Sequence, residues 1–205
     1  MRLTDKDDIR DFSLITHSLP ESVEVNGREY LLNTRTVKAL QAISILTDEE
    51  VPAYKRIDEM FALLVRNCDA IKDEDAVDIE RELLAYLGGY PKVVNGQPKS
   101  KEVISYIQDH DLIISSFREA YGFTLDDIRG MHWWLFLAYM NGLPSTTRLA
   151  SVIQIRLTEV TSKDSPEAKR AKIQAKRAVA LRPRKRSGSG EDGYDIVSRG
   201  IAAGD

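Results

Sequence analysis

The side chains of this sequence that could do chemistry are three histidines, one cysteine and several short runs of carboxylates. Their spacing argues against a reaction centre. A zinc site needs several imidazole or thiolate donors within reach, at spacings such as Cys-x-x-Cys or His-Glu-x-x-His. His17, His110 and His132 stand far apart and Cys68 is alone, so neither a metal cluster nor an internal disulfide can be built. Cys68 ends the run Leu63-Leu64-Val65-Arg66-Asn67, where a buried, inert thiol is expected. His110 lies between Asp109 and Asp111, but adjacent side chains on a helix diverge, so no proton relay follows. His132, beside two tryptophans, reads as a core residue holding one hydrogen bond. The acidic runs Asp73-Glu74-Asp75 and Asp126-Asp127 fall where helices begin, and the helix macrodipole explains them there. Gly188-Ser189-Gly190-Glu191-Asp192-Gly193 spells a dinucleotide-binding pattern, but no strand precedes it and no helix follows. The chain is therefore expected to catalyse nothing, to hold no cofactor or metal, and to act by binding.

Two stretches supply candidate binding residues. Met131-His132-Trp133-Trp134-Leu135-Phe136-Leu137-Ala138-Tyr139-Met140 is apolar nearly all round, and such a helix must be covered by its own protein or by a partner. Neighbours on a helix point about 100° apart, so one tryptophan is expected in the core and the other near the rim. An outward Trp133 or Trp134, with Phe117, Tyr121 and Tyr139, could anchor an interface, where aromatic residues dominate the energetics. The second stretch is basic. The whole chain is close to neutral, at −3, yet Lys163 to Arg186 holds ten basic residues against Asp164 and Glu167. Within it Lys169, Arg170, Lys172, Lys176 and Arg177 could meet phosphates or an acidic protein surface, including that of a second copy. No aromatic residue is interleaved for base stacking, and the acidic remainder of the chain would repel DNA. Nucleic-acid binding is thus the rival reading and protein binding the preferred one.

The elements that must position these residues are mostly helical. Ser22 to Leu32 alternates around Asn26-Gly27, which tolerates the positive φ angles of a type I′ turn, and predicts a β-hairpin. Helical spacing predicts a helix over 34–46, with Val37, Leu40, Ile43 and Leu46 on one face. Thr47-Asp48-Glu49-Glu50 has the form of a capping box and Pro52 suits a first turn, so a second helix is expected to about Asn67, with Ile57, Phe61 and Leu64 aligned. A third spans 73–87, carrying Ile79, Leu83 and Leu87 and closed by Gly88-Gly89. Residues 88–100 read as a loop, with a possible small hairpin at Asn95-Gly96. Further helices are expected over 101–121 (Ile107, Ile114, Phe117, Tyr121), 124–141 and 145–160 (Leu149, Val152, Ile153, Leu157). Ser165-Pro166-Glu167 opens a basic helix to about Leu181. The fold expected is a small, mostly α bundle with one N-terminal hairpin. A flexible segment 1–13 precedes a helical domain over 14–162, the basic helix over 163–182 and a disordered tail over 183–205.

The start of the chain is charged rather than apolar, and its longest apolar stretch is about ten residues against the roughly 20 that span a bilayer. A soluble protein of a reducing compartment is expected, with no membrane partner.

Two segments resemble a known family. Leu19-Pro20-Glu21-Ser22-Val23-Glu24-Val25-Asn26-Gly27-Arg28-Glu29-Tyr30 resembles the opening of a phage family named after a generic "gene product fifteen". Phe117-Arg118-Glu119-Ala120-Tyr121-Gly122, then Leu125, His132-Trp133-Trp134 and Gly142-Leu143, resemble its second half. The likeness covers roughly residues 14–180. Residues Asn33-Thr34-Arg35-Thr36-Val37 depart from it where the family has an aromatic, residues 48–100 match in pattern alone, and the tail after Pro183 is unlike it. The resemblance implies a tail assembly chaperone of long-tailed, siphovirus-type phages and prophages. It would bind the tape-measure protein, help recruit tail-tube subunits in the host cytoplasm and be absent from the mature virion. A structural head–tail or tail component is the alternative.

Overall fold

A computed structural model of the chain describes residues 14–89 and 103–182. The N-terminal segment 1–13, the loop around Asn95-Gly96, the first residues of the helix expected from Lys101, the basic residues Arg184, Lys185 and Arg186, the glycine-rich pattern at 188–193 and the tail 183–205 lie outside the described residues. Among the described residues the chain is mostly helical with one antiparallel hairpin, as its sequence pattern predicts. Its contacts divide it into two compact units, one holding residues 14–89 with 126–141 and the other 103–125 with 142–182. The expected division, one domain over 14–162 with 163–182 apart, cuts across these units.

In the first unit, β1 (Ser22–Val25) pairs with β2 (Arg28–Leu31), Val23 opposite Tyr30 and Val25 opposite Arg28. Asn26 at φ +51° and Gly27 at φ +73° make the tight turn that the Asn-Gly pair predicts. Val23, Val25, Tyr30 and Leu32 point into the core. Helix α1 (Thr36–Leu46) buries Thr36, Ala39, Ala42, Ile43 and Leu46. Val37 and Leu40 are only half-buried, so the face is rotated from the one expected. Small residues win there because α2 (Ala53–Leu64) packs closely against α1.

The capping box at Thr47 is not a helix start. Thr47 closes α1, its hydroxyl donating to the Ile43 carbonyl at 2.9 Å, and Arg56 reaches back from α2 to donate to the Leu46 carbonyl at 2.9 Å. Carbonyls at a helix C-terminus lack intrahelical donors, and a cation suits the dipole there. Helix α2 also stops three residues short of Asn67, because Val65 turns extended and bridges to Leu32. Cys68 follows in a short 3-10 turn and is half-buried, not buried. A second 3-10 turn (Asp73–Asp75) leads into α3 (Ala76–Gly88), which buries Ile79, Leu83, Tyr86 and Leu87.

The helix expected over 124–141 is two helices, α5 (Leu125–Gly130) and α6 (Trp133–Asn141). Met131 and His132 break it by pairing with the chain before α1. Thr36 donates to the Met131 carbonyl from its N–H (2.8 Å) and its hydroxyl (2.9 Å), and the Trp133 N–H donates to the Thr34 carbonyl at 2.8 Å.

The second unit holds α4 (His110–Tyr121), α7 (Arg148–Leu157) and α8 (Pro166–Ala178). Helix α4 starts well after Lys101, since residues 103–105 form neither helix nor strand and lead into a turn. The Asp109 carboxylate accepts from the Ser105 N–H at 2.9 Å, and Ile107 is left exposed. Gly122 ends α4 at φ +74°. Helix α7 is capped by Thr147 and, from α4, by the Ser116 hydroxyl accepting from the Leu149 N–H at 3.2 Å. Ser165 caps α8 with Pro166 at its first position, as predicted.

Candidate partner-binding surface

Both tryptophans are fully buried, correcting the expectation of one at the rim. They diverge as helix neighbours must, yet each indole finds a carbonyl at the end of α3. Trp133 Nε1 donates to the Leu87 carbonyl at 3.1 Å, and Trp134 Nε1 to the Tyr86 carbonyl at 2.9 Å. The Leu87 carbonyl at the helix C-terminus is thereby satisfied, and the Tyr86 carbonyl, which also accepts from the Gly89 N–H at 3.1 Å, gains a second donor. Trp134 stacks on Tyr86 and Trp133 on Phe136, with centroids 6.0 and 5.4 Å apart. Burial pushes the Tyr86 hydroxyl well above its ordinary pKa. Gly89 follows at φ +93°, and a Cβ there would come within 2.7 Å of Leu137 Cδ1. The greasy helix is thus sheltered by its own unit, and Trp133 and Trp134 offer a partner no surface in this fold.

His132 is half-buried beside them. Its Nδ1 accepts from the Trp134 N–H at 3.1 Å and its Nε2 lies 3.2 Å from the Pro20 carbonyl, the pattern of a neutral ring protonated at Nε2. Burial lowers its pKa, against smaller opposing effects of the Pro20 carbonyl and Glu21. It makes two hydrogen bonds rather than one.

Asp75 does more than answer a helix dipole. Its buried carboxylate accepts from Tyr30 Oη at 2.6 Å, Asn26 Nδ2 at 2.7 Å and Arg28 Nη1 at 2.7 Å. These bonds, Tyr30 first, hold its pKa down at about 2. Arg28 also meets Glu74 at 2.7 Å. The turn residue Asn26, chosen for its backbone, so supplies a side chain that fastens the hairpin to the start of α3.

In the second unit, Phe117 is buried in an aromatic cluster with Tyr121 and Phe123, at centroid distances of 5.7 and 6.3 Å. Tyr121 is half-buried, as is Tyr139 in the first unit. The aromatic candidates are thus divided between two units.

The basic candidates are brought together. Lys169, Lys172 and Lys176 donate to the carbonyls of Ser162, Glu159 and Thr158 at 3.2, 3.1 and 2.6 Å, tying α8 to the segment that leaves α7. Lys172 also pairs with Asp164 at 2.7 Å, and that hydrogen bond leads the causes lowering the Asp164 pKa. Arg170 and Arg177 are exposed and make no ion pair among the described residues. Arg156 ties further segments of the same unit. Its guanidinium forks onto Asp109 at 2.7 and 2.8 Å and donates to the Val103 and Val179 carbonyls at 2.9 and 2.7 Å. Both partners of this pair are largely buried.

Between these ties lies a cleft of about 460 Å³ lined by Val103, Arg156, Val160, Ile173, Lys176, Arg177, Ala180 and Leu181. Val160 and Ile173 keep 41% and 40% of their surface in water. Sequence reasoning found Lys176 and Arg177 but missed the apolar floor. Its signal was Ile173, the lone large aliphatic residue in a basic helix. Arg156 and Asp75 carried none, being ordinary charged residues until the fold gives them partners. The arrangement can accept apolar side chains between cations.

The family model described as "Bacteriophage Gp15 protein" matches residues 15–181. No curated protein and no solved structure matches the chain.

Proposed function

Because the chain belongs to the bacteriophage Gp15 family, we propose that it is a tail assembly chaperone, a non-catalytic protein that binds the tape-measure protein. In this reading it works in the host cytoplasm, helps bring tail-tube subunits to the growing tail and leaves before the virion is complete. The observation that carries the reading is the cleft of the second unit, which keeps aliphatic surface in water within a cationic frame. Apolar surface held this way favours reversible capture of apolar segments, since contact removes it from water.

The buried or half-buried acid and imidazole whose pKa values are lowered serve structure in this account. Asp75 is enclosed by three donors, and His132 turns both ring nitrogens to the backbone. Lys172 of α8 is already paired with Asp164, and no aromatic residue among the described ones lines the cleft for base stacking, which weakens the rival reading of a nucleic-acid-binding helix. The test is co-expression with the neighbouring tail genes followed by affinity capture, alongside mass spectrometry of purified virions. Capture of the tape-measure protein, with the chain missing from virions, is the expected result. A chain present in virions in stoichiometric amounts would make it a structural tail component instead.

A further inference from the structure

We propose that the cleft of the second unit docks an acidic amphipathic segment of a partner protein. Apolar side chains of that segment seat on Val103, Val160, Ile173 and Leu181, and its carboxylates face Lys176 and Arg177. The inference rests on the chaperone reading and gives the chemistry of the segment a client must present.

Charge complementarity carries the choice of occupant. Residues 163–182 hold seven basic side chains against Asp164 and Glu167. Lys172 is already matched by Asp164. Lys176 is held on the Thr158 carbonyl, a contact that orients the ammonium without neutralising it. Arg177, exposed and without an ion pair among the described residues, stands on the same wall. The rim thus carries positive charge that its own unit leaves uncompensated, beside aliphatic surface that its own unit leaves wet. A segment with one apolar and one acidic face answers both.

Two other ligand classes fit less well. Small molecules are usually gripped by a few fixed polar groups, but the Arg156 guanidinium, the polar group set into this wall, is spent on Asp109 and two carbonyls. Single-stranded nucleic acid wants aromatic platforms, and no aromatic residue among the described ones lines the cleft. The chain's own residues 191–197, Glu-Asp-Gly-Tyr-Asp-Ile-Val, have related chemistry and are the alternative that the experiment must separate.

The test uses the full chain and a fluorescein-labelled helical peptide of about 15 residues with a Leu/Ile face and a Glu-rich face. A matched peptide carries Lys in place of Glu. Fluorescence anisotropy should show the acidic peptide binding at least roughly tenfold more tightly than the basic one, and losing affinity as salt shortens the screening length. Ile173→Asp and Arg177→Glu, both at exposed positions of α8 and checked for unchanged helicity, should each weaken binding by roughly tenfold or more. Equal binding of the two peptides, no binding of the acidic one, or no loss in either variant overturns the proposal. So does binding that emerges only when residues 183–205 are deleted, which would give the cleft to the chain's own tail. Tape-measure protein captured undiminished by both variants overturns the cleft assignment and leaves the chaperone reading standing. Peptide binding without tape-measure capture does the reverse.

Discussion

Asp75 shows how one side chain can hold a turn. Its pKa of about 2 lies below the ordinary value of 3.8, so the folded state favours the ionised form. The stability this confers is fully present above the ordinary carboxyl value and is lost as pH falls toward 2. Asp75→Asn should lower the thermal midpoint at pH 7, speed hydrogen exchange in β1 and β2, and flatten the acid side of the stability profile. His132 works in the opposite range. Its folded pKa is depressed below 6.5, so its contribution is complete above that value and declines as pH drops beneath it. Denaturant midpoints at pH 7.5 and 5.5 should therefore differ less in His132→Gln than in the parent chain. At Trp134 the payload is mainly volume. Trp134→Ala should cost about 3–5 kcal/mol in denaturant unfolding. Trp134→Phe should cost less, since the Tyr86 carbonyl still accepts from the Gly89 N–H at 3.1 Å.

Among the elements, those with local instructions formed where the sequence placed them. Asn26-Gly27 fixes the hairpin, Ser165-Pro166 opens α8 and Gly122 closes α4, because each signal acts on backbone angles or on donors within a turn. The Thr47 capping box is an exception, closing α1 instead of opening α2, and two further errors fall where a distant strand-like pairing overrides helical spacing. Val65 leaves α2 to meet Leu32, and Met131-His132 split one helix to meet Thr34–Thr36. Neither exchange is encoded near the residues it interrupts. The candidate site was half legible for the same reason. A charge run shows in a string of letters, whereas an apolar cleft needs Val103, Val160 and Ile173 to come from separate segments. Arg156, which ties three segments, makes this testable. Arg156→Ala strands a buried carboxylate and should cost about 3–5 kcal/mol. Arg156→Lys keeps the charge but lacks the fork, so it should recover only part of that loss.

For the whole molecule, charge is sorted along the chain: residues 163–182 are strongly basic within a protein whose total is −3. Such sorting invites the idea of nucleic-acid binding, but Lys172 is neutralised by Asp164 and no aromatic residue is interleaved in the basic helix for base stacking. The chain should therefore pass through a duplex-DNA column at about physiological ionic strength, where few-contact electrostatic binding is weak. Retention that needs molar salt to reverse would restore the rival reading.

The path of the chain between its units has a consequence for synthesis. Residues 126–141 visit the N-terminal unit and then the chain departs again, so that unit lacks its two indoles until some fifty residues after Gly89 have been made. At about 5–20 residues per second, a ribosome leaves the Leu87 carbonyl without its indole donor and Tyr86 without its stacking partner for several seconds. A message cut short before codon 141 would yield neither half intact. The early nascent form of this unit is thus itself in need of shelter.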